Sequence, residues 1–276
     1  MAHTVASLLK SSDLPAMEAQ MLLEHVTGWN RTALISYPER NVEAKQALLA
    51  QSLFARRRFG EPVAYLTGLR EFYGLMFEVS PAVLIPRPET ELLVDLTLAR
   101  LKKNPAHSVL DLGTGSGAVA VTLAKLFDTA QVTGVEKSKA ALNMARKNAE
   151  TIIPRAFNNT LQLILGDWYQ PVGKAKFNII VANPPYIAEA DAHLAQGDLR
   201  HEPIQALTSG SDGLDAIRKI ISGAPKHLHR GGWLLIEHGY DQEKACADLL
   251  KHAGFNPIFC EKDLAGIPRV SGGQLK

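Results

Sequence analysis

The stretch Ile180-Val181-Ala182-Asn183-Pro184-Pro185-Tyr186 constrains this chain more than any other. Its first residues are apolar and rich in β-branching, the composition of a strand buried in a sheet covered on both faces. The run stops at Asn183 and two consecutive prolines. Each proline lacks an N–H and holds φ fixed, so a hydrogen-bonded ladder cannot continue past them. What remains is a rigid platform at the carboxyl end of a strand, carrying a side-chain amide, free backbone carbonyls and an aromatic ring.

A chain of 276 residues has room for one large or two modest domains. Hydrophobic residues at 46% and charged residues at 21% fit an ordinary globular protein, and a net charge of +2 gives no electrostatic signature of nucleic-acid binding. Cys246 and Cys260 are spaced for no metal site and are too few for a disulfide framework, so a reducing cytoplasm and no metal are expected. The first residues lack a signal-peptide pattern, and no apolar run reaches the roughly 20 residues that span a bilayer. No membrane partner is expected.

Residues 1–71 read as a small helical domain. Asp13 is a plausible cap for a helix whose Ala19, Leu22, Leu23 and Val26 share one face before Gly28. A second helix is expected from about Asn41 to Phe59, with Arg56, Arg57 and Arg58 complementing the negative end of its dipole or offering a docking surface. A short helix follows between Pro62 and Gly68. Residues 72–88 read as a hairpin and a proline-rich linker, with Glu89 and Thr90 opening a helix to about Leu101. Arg87, Glu89 and Thr90 either line a pocket or anchor the linker.

Residues 89–276 form the second domain. From His107 apolar strands alternate with helical patterns, the signature of a doubly wound, mostly parallel α/β sheet. Strands are expected at Val109–Leu112, Val132–Glu136, Leu161–Leu165, Phe177–Ala182, Trp233–Ile236 and Pro257–Cys260.

Between the first of these strands and its helix lies Asp111-Leu112-Gly113-Thr114-Gly115-Ser116-Gly117. The glycines permit a tight turn and a close approach of backbone N–H groups to a ligand. The spacing is G-x-G-x-G, not the dinucleotide G-x-G-x-x-G, and an acid precedes it. Asp111 would repel a pyrophosphate but can receive a cationic α-amino group, which points to S-adenosylmethionine. Glu136, about 20 residues on, is placed to accept ribose hydroxyls. Asp167 and Trp168 suit the adenine amino group and the base plane. Asn183 stands at the rim of the same set of strand ends.

These motifs in this order resemble the class I S-adenosylmethionine-dependent methyltransferases that modify planar nitrogens. More closely the chain resembles the PrmC/HemK family of release factor glutamine N(5)-methyltransferases. Gly60-Glu61-Pro62, Gly68-Leu69-Arg70-Glu71-Phe72, Leu84-Ile85-Pro86-Arg87-Pro88-Glu89-Thr90-Glu91 and Glu237-His238-Gly239 carry that closer likeness, and it runs nearly end to end. The resemblance implies a Rossmann-like, seven-stranded, mostly parallel sheet behind a helical release-factor recognition domain. It implies methyl transfer to the glutamine amide of a Gly-Gly-Gln loop in class I release factors, with consequences for translation termination. Asn183, Pro184 and Tyr186 would be catalytic, and together with Pro185 would bind the substrate. Asp111, Gly113, Thr114, Gly115, Ser116, Gly117, Glu136, Asp167, Trp168 and Asn183 would hold the cofactor. Glu237 and His238 read as strand-end structural residues that can assist. A cytoplasmic monomer with no direct nucleic-acid partner is expected.

Two other functions share these features. A nucleic-acid N-methyltransferase on the same platform predicts a basic face, and a non-catalytic S-adenosylmethionine- or RNA-binding module predicts a degraded site. The chain also ends Ser271-Gly272-Gly273-Gln274-Leu275-Lys276, a Gly-Gly-Gln of its own on what reads as a mobile tail.

Overall fold

The computed structural model describes residues 3–101, 108–154 and 160–276; Met1 and His107, where two of the expected segments begin, lie outside them. The chain divides into two compact units, one running to Leu69 and including His193–His201, the other holding Arg70–Ala192 and Glu202–Lys276.

The first unit contains β1 (His3–Thr4), α1 (Val5–Ser11), α2 (Ala16–Thr27), α3 (Arg31–Ser36), β2 (Asn41–Val42), α4 (Ala44–Arg58) and α5 (Val63–Thr67). Its core gathers Leu8, Leu22, Leu23, Leu34, Leu53 and Phe54. Asp13 does not cap α2. It sits in the left-handed region at φ 53, and Pro15 takes the cap position because its fixed φ presets the first turn. Gly28, at φ 72, ends α2 in the left-handed conformation that glycine adopts freely. The three arginines of α4 all find partners within this unit, Arg56 and Arg58 while remaining exposed. Arg57 forks onto Glu18 at 2.7 and 2.8 Å and onto Asp198 at 2.8 Å, Arg58 donates to the Ser12 carbonyl at 2.7 Å, and Arg56 holds Glu61.

The hairpin joins β3 (Leu69–Phe72) to β4 (Leu75–Glu78). Tyr73 and Gly74 both have positive φ, 54 and 72, the backbone of a two-residue turn whose twist matches its strands. Helix α6 (Glu91–Leu101) follows a single 3₁₀ turn over Pro88–Thr90.

In the second unit the elements are β5 (Ser108–Leu112), α7 (Ala118–Leu126), β6 (Gln131–Glu136), α8 (Lys139–Ile152), β7 (Leu161–Leu165), β8 (Phe177–Ala182), α9 (Asp215–His227), β9 (Leu228–Glu237), α10 (Glu243–His252), β10 (Phe255–Lys262) and β11 (Pro268–Leu275). The sheet order is β10-β11-β9-β8-β5-β6-β7. Its ladders are parallel except for β11, which runs antiparallel to both neighbours. The chain leaves β5 in one direction through β6 and β7 and returns to the other side through β8 and β9. That reversal opens a crevice at the carboxyl ends of β5 and β8.

Side chains alternate across the sheet. Val109, Ile179, Val181 and Leu235 join the core beneath α6 and α7, while Leu110, Leu112, Ile180, Leu234 and Ile236 join the core with α9. Strand β11 is absent from the sequence expectation, and it contains Gly272, Gly273 and Gln274. These residues pair with Leu235, Leu234 and Trp233 of β9, and the Gln274 amide donates to the Gly231 carbonyl at 2.8 Å. The Gly-Gly-Gln is a sheet strand, not a mobile tail. The signal was weak because two glycines depress strand propensity; here they admit close neighbours, a Cβ on Gly272 meeting the Leu234 carbonyl at 2.4 Å. Among the described residues, no helix is long and apolar enough to cross a membrane.

Candidate active site

The cleft lies over the switch point of the sheet. It is lined by Asp111, Gly113, Thr114, Gly115, Ser116, Glu136, Asp167, Trp168, Asn183 and Pro185, and also by Arg87 of the linker and Thr90 just before α6. Gly117, Pro184 and Tyr186 are not on that lining.

Strand β5 delivers Asp111 to the floor, 2% exposed, where the Thr114 hydroxyl donates to its Oδ2 at 2.6 Å. Burial pushes the Asp111 carboxyl up to about 7; hydrogen bonds from Thr114 and the backbone oppose the rise, and nearby Glu136 adds to it. The glycine turn is pinned to the neighbouring strand, the N–H groups of Gly113 and Thr114 both donating to the Val135 carbonyl at 2.9 and 3.0 Å. Gly117 opens α7 at φ 85, where a Cβ would meet Val121 at 2.9 Å and Ala145 of α8 at 3.2 Å. Its role is to let the turn and two helices close on one another.

Glu136 ends β6 and is fixed by two backbone donors, Gly115 N–H at 2.9 Å and Ser138 N–H at 2.8 Å. Each carboxylate oxygen keeps a lone pair for the cleft. Trp168, at φ 48, leaves the regular strand geometry and faces the glycine turn, its ring 3.5 Å from where a Cβ on Gly113 would stand. Asp167 lies at the same edge, 3.6 Å from the Lys137 ammonium.

At the end of β8 the Asn183 amide nitrogen donates to the Thr90 hydroxyl at 2.9 Å. The amide therefore turns its NH₂ toward the linker and leaves its oxygen for another donor. Pro184 is buried and Pro185 half-buried beside it. Tyr186 packs against the α9 core, and its carbonyl accepts from the Gln242 amide at 3.0 Å. Burial pushes the Tyr186 phenol up to about 12.

Glu202 was not foreseen. Its buried carboxylate accepts from the Ile85 N–H at 3.0 Å and pairs with Arg87, tying the linker to the loop that follows Tyr186. No local signal marks it, because its partners lie 115 and 117 residues away. Arg87 and Thr90 thus both line the cleft and anchor the linker. His238 is fully buried; its Nδ1 donates to the Gly239 carbonyl and its Nε2 accepts from the Ser271 hydroxyl, both at 2.8 Å. Both of its ring nitrogens are thus engaged within the strand end.

Known proteins resemble the chain throughout. Residues 2–68 match the model of the PrmC N-terminal domain, and residues 90–210 match that of the methyltransferase small domain. The release factor glutamine methyltransferase of Burkholderia pseudomallei is 48% identical over 99% of this chain and 96% of its own length. That of Escherichia coli is 41% identical over 97% and 95%. A T. Thermophilus 16S rRNA methyltransferase solved with AdoMet and guanosine shares the fold, with a TM-score of 0.56 and 23% identity over 75% of this chain and 50% of that one.

Proposed function

The chain belongs to the release factor glutamine methyltransferase family, and on that premise we propose that it methylates the side-chain amide nitrogen of the glutamine in the Gly-Gly-Gln loop of class I release factors, modulating translation termination. The methyl donor in this reading is S-adenosylmethionine. The donor set of the cleft fits it. Asp111 is a buried carboxylate without a cationic partner in the turn, Glu136 presents spare lone pairs, and Trp168 offers a flat face above the glycines. Gly113, Thr114, Gly115, Ser116 and Gly117 shape the turn around it, and Asp167 meets the adenine edge. When bound, the cofactor supplies an electrophilic methyl group on a sulfonium.

The remaining work belongs to the chain. An amide nitrogen is a poor nucleophile because its lone pair is delocalised into its carbonyl. Asn183 Oδ1 and the Pro184 carbonyl accept the two N–H bonds of the substrate amide, which fixes its plane and favours the electron-poor nitrogen that develops as the methyl arrives; one of its two protons then leaves to solvent. Pro185 and Tyr186 hold the platform rigid, and Tyr186 bounds the amide's far side. The observation that carries this reading is the orientation of Asn183, whose donor end is already taken by Thr90 while its acceptor end is left for the substrate.

In the same proposal residues 1–71 recognise the release factor, residues 72–88 connect, and residues 89–276 methylate. Exposed Met17, Met21, Leu48, Leu49 and Phe59 give the helical unit an apolar surface suited to a protein partner rather than to nucleic acid. We place the enzyme in the cytoplasm as a monomer. The test is transfer of labelled methyl to a purified release factor, beside a variant with the loop glutamine changed to alanine and a DNA control. Label on the native factor alone is expected; label on DNA, or equal label on the alanine variant, would refute it.

A further inference from the structure

Glu237 ends β9 and is 1% exposed, yet its Oε2 has no hydrogen-bond partner among the described residues. Leaving a carboxylate oxygen unsatisfied in the interior is costly, and burial without purpose would favour a neutral residue here. Its position is set by the sheet. Ala182 pairs with Ile236 in the parallel ladder, so Asn183 and Glu237 are the next residues along neighbouring strands. By the alternation of side chains both stand on the α6 side of the sheet, with Val181 and Leu235. Thr90, 4% exposed and immediately before α6, meets both. It accepts from the Asn183 amide at 2.9 Å, which leaves its hydroxyl proton free for the Glu237 carboxyl beside it.

We propose that Glu237 and Thr90 are positioning residues for methyl transfer, forming a one-way hydrogen-bond chain that locks the Asn183 amide with its oxygen toward the acceptor glutamine. The logic is one of donor counts. An ionised carboxylate only accepts, so the single Thr90 proton must point to Glu237. The Thr90 oxygen can then only accept from Asn183, which forces the NH₂ end of that amide inward. A protonated Glu237 removes the constraint. It can donate to Thr90, freeing the hydroxyl proton to face Asn183 and allowing the amide to flip, with its NH₂ set against the N–H of the substrate.

The charged surroundings allow Glu237 to titrate in the working range. Burial pushes the Glu237 carboxyl up to about 7, opposed by the Thr90 hydrogen bond and by Arg269 and Arg87, and reinforced by Glu89. Arg269 lies on β11, Arg87 on the linker and Glu89 in the 3₁₀ turn after it, and the Glu237 charge adds to the upward push on the Tyr186 phenol. Burial also pushes the imidazole of His238, next in sequence, downward. The lock is therefore closed above about pH 7 and opens below it.

The inference rests on the assignment of Asn183 as the amide acceptor. The test measures kcat for release-factor methylation at saturating S-adenosylmethionine across pH 5.5 to 8.5. Thr90→Val, which keeps the shape and removes the hydroxyl, should lower kcat by about tenfold or more while KM for S-adenosylmethionine stays within about twofold. Thr90→Ser should restore most of the rate. Glu237→Gln, isosteric and uncharged, should flatten the acid limb of the profile. Wild-type kcat and acid limb in both Thr90→Val and Glu237→Gln would overturn the lock, as would a Thr90→Ser enzyme as slow as Thr90→Val.

A readout without substrate separates this claim from the function itself. The Asn183 side-chain amide signal, identified by its loss in Asn183→Ala, should exchange with solvent faster in Thr90→Val than in wild type by NMR. Unchanged exchange defeats the lock whatever the enzyme labels. Faster exchange in a protein that labels no release factor upholds the lock and defeats only the assigned substrate.

Discussion

Along the glycine-turn side of the cleft, hydrogen-bonded partners are near neighbours in the chain. Thr114 reaches Asp111 over three residues, Ser138 reaches Glu136 over two, and Gly115 reaches Glu136 over 21. On the acceptor side Asn183 reaches Thr90 over 93 residues, and Ile85 reaches Glu202 over 117. The first region is a turn that organises itself once two strands pair. The second exists only after the linker, β8, β9 and the loop beyond Tyr186 have come together. A local region tolerates change at its edges and fails in binding; an assembled region passes small displacements to the reacting atoms and fails in turnover.

The sharpest separation should come from Asn183→Ala. Turnover should fall by roughly a thousandfold, the scale of losing a preorganised polar group, while S-adenosylmethionine binding by calorimetry stays within a few-fold. Lost cofactor binding with residual turnover would invert the two regions.

Asp111→Asn is the converse experiment. S-adenosylmethionine affinity should drop by roughly tenfold or more as a charge-assisted contact is lost. Stability should move the other way. The unfolded chain ionises this carboxyl from about 3.8, whereas the fold resists ionisation up to about 7, so the native state loses stability as pH rises between those values and stays penalised above them. Asn carries no such cost. The ligand-free variant should therefore gain thermal stability over wild type at pH 8 and little or none at pH 4. A larger gain at pH 4 would contradict the burial argument.

Gly117→Ala should cost about 1–3 kcal/mol in chemical denaturation, from a strained φ and the clash with Val121 and Ala145, and should weaken cofactor binding in step. The smallest effect is expected at Gln274→Ala. Loss of one exposed hydrogen bond to Gly231 should cost at most about 1 kcal/mol and leave kinetics unchanged. Mass spectrometry after incubation with S-adenosylmethionine should find Gln274 unmodified, since β11 is paired on both sides and cannot enter its own cleft without unzipping from β9 and β10.

The sequence by itself determined the parallel sheet, the Gly113–Gly117 turn, Glu136 at the end of β6 and the Asn183–Tyr186 platform. It could do so because each is written within one strand and the few residues after it, where period-two burial, positive φ and the absent N–H of proline act locally. It missed β11, whose glycines hide strand character that only two flanking strands confer. It also misjudged Asp13, which a compact helical unit holds in a left-handed conformation instead of a cap. Only the tertiary structure decided that Arg87 pairs with Glu202, that Arg57 and Arg58 find partners elsewhere in their unit, that Asn183 reaches Thr90, and that Asn183 and Glu237 share one face of the sheet. The contacts around Arg87, Asn183 and Glu237 depend on strand order and register, which arise from packing the whole sheet against α6 and α9. Those of Arg57 and Arg58 depend on the packing of the helical unit. In each of these the partners lie too far apart for one window of the sequence to hold both.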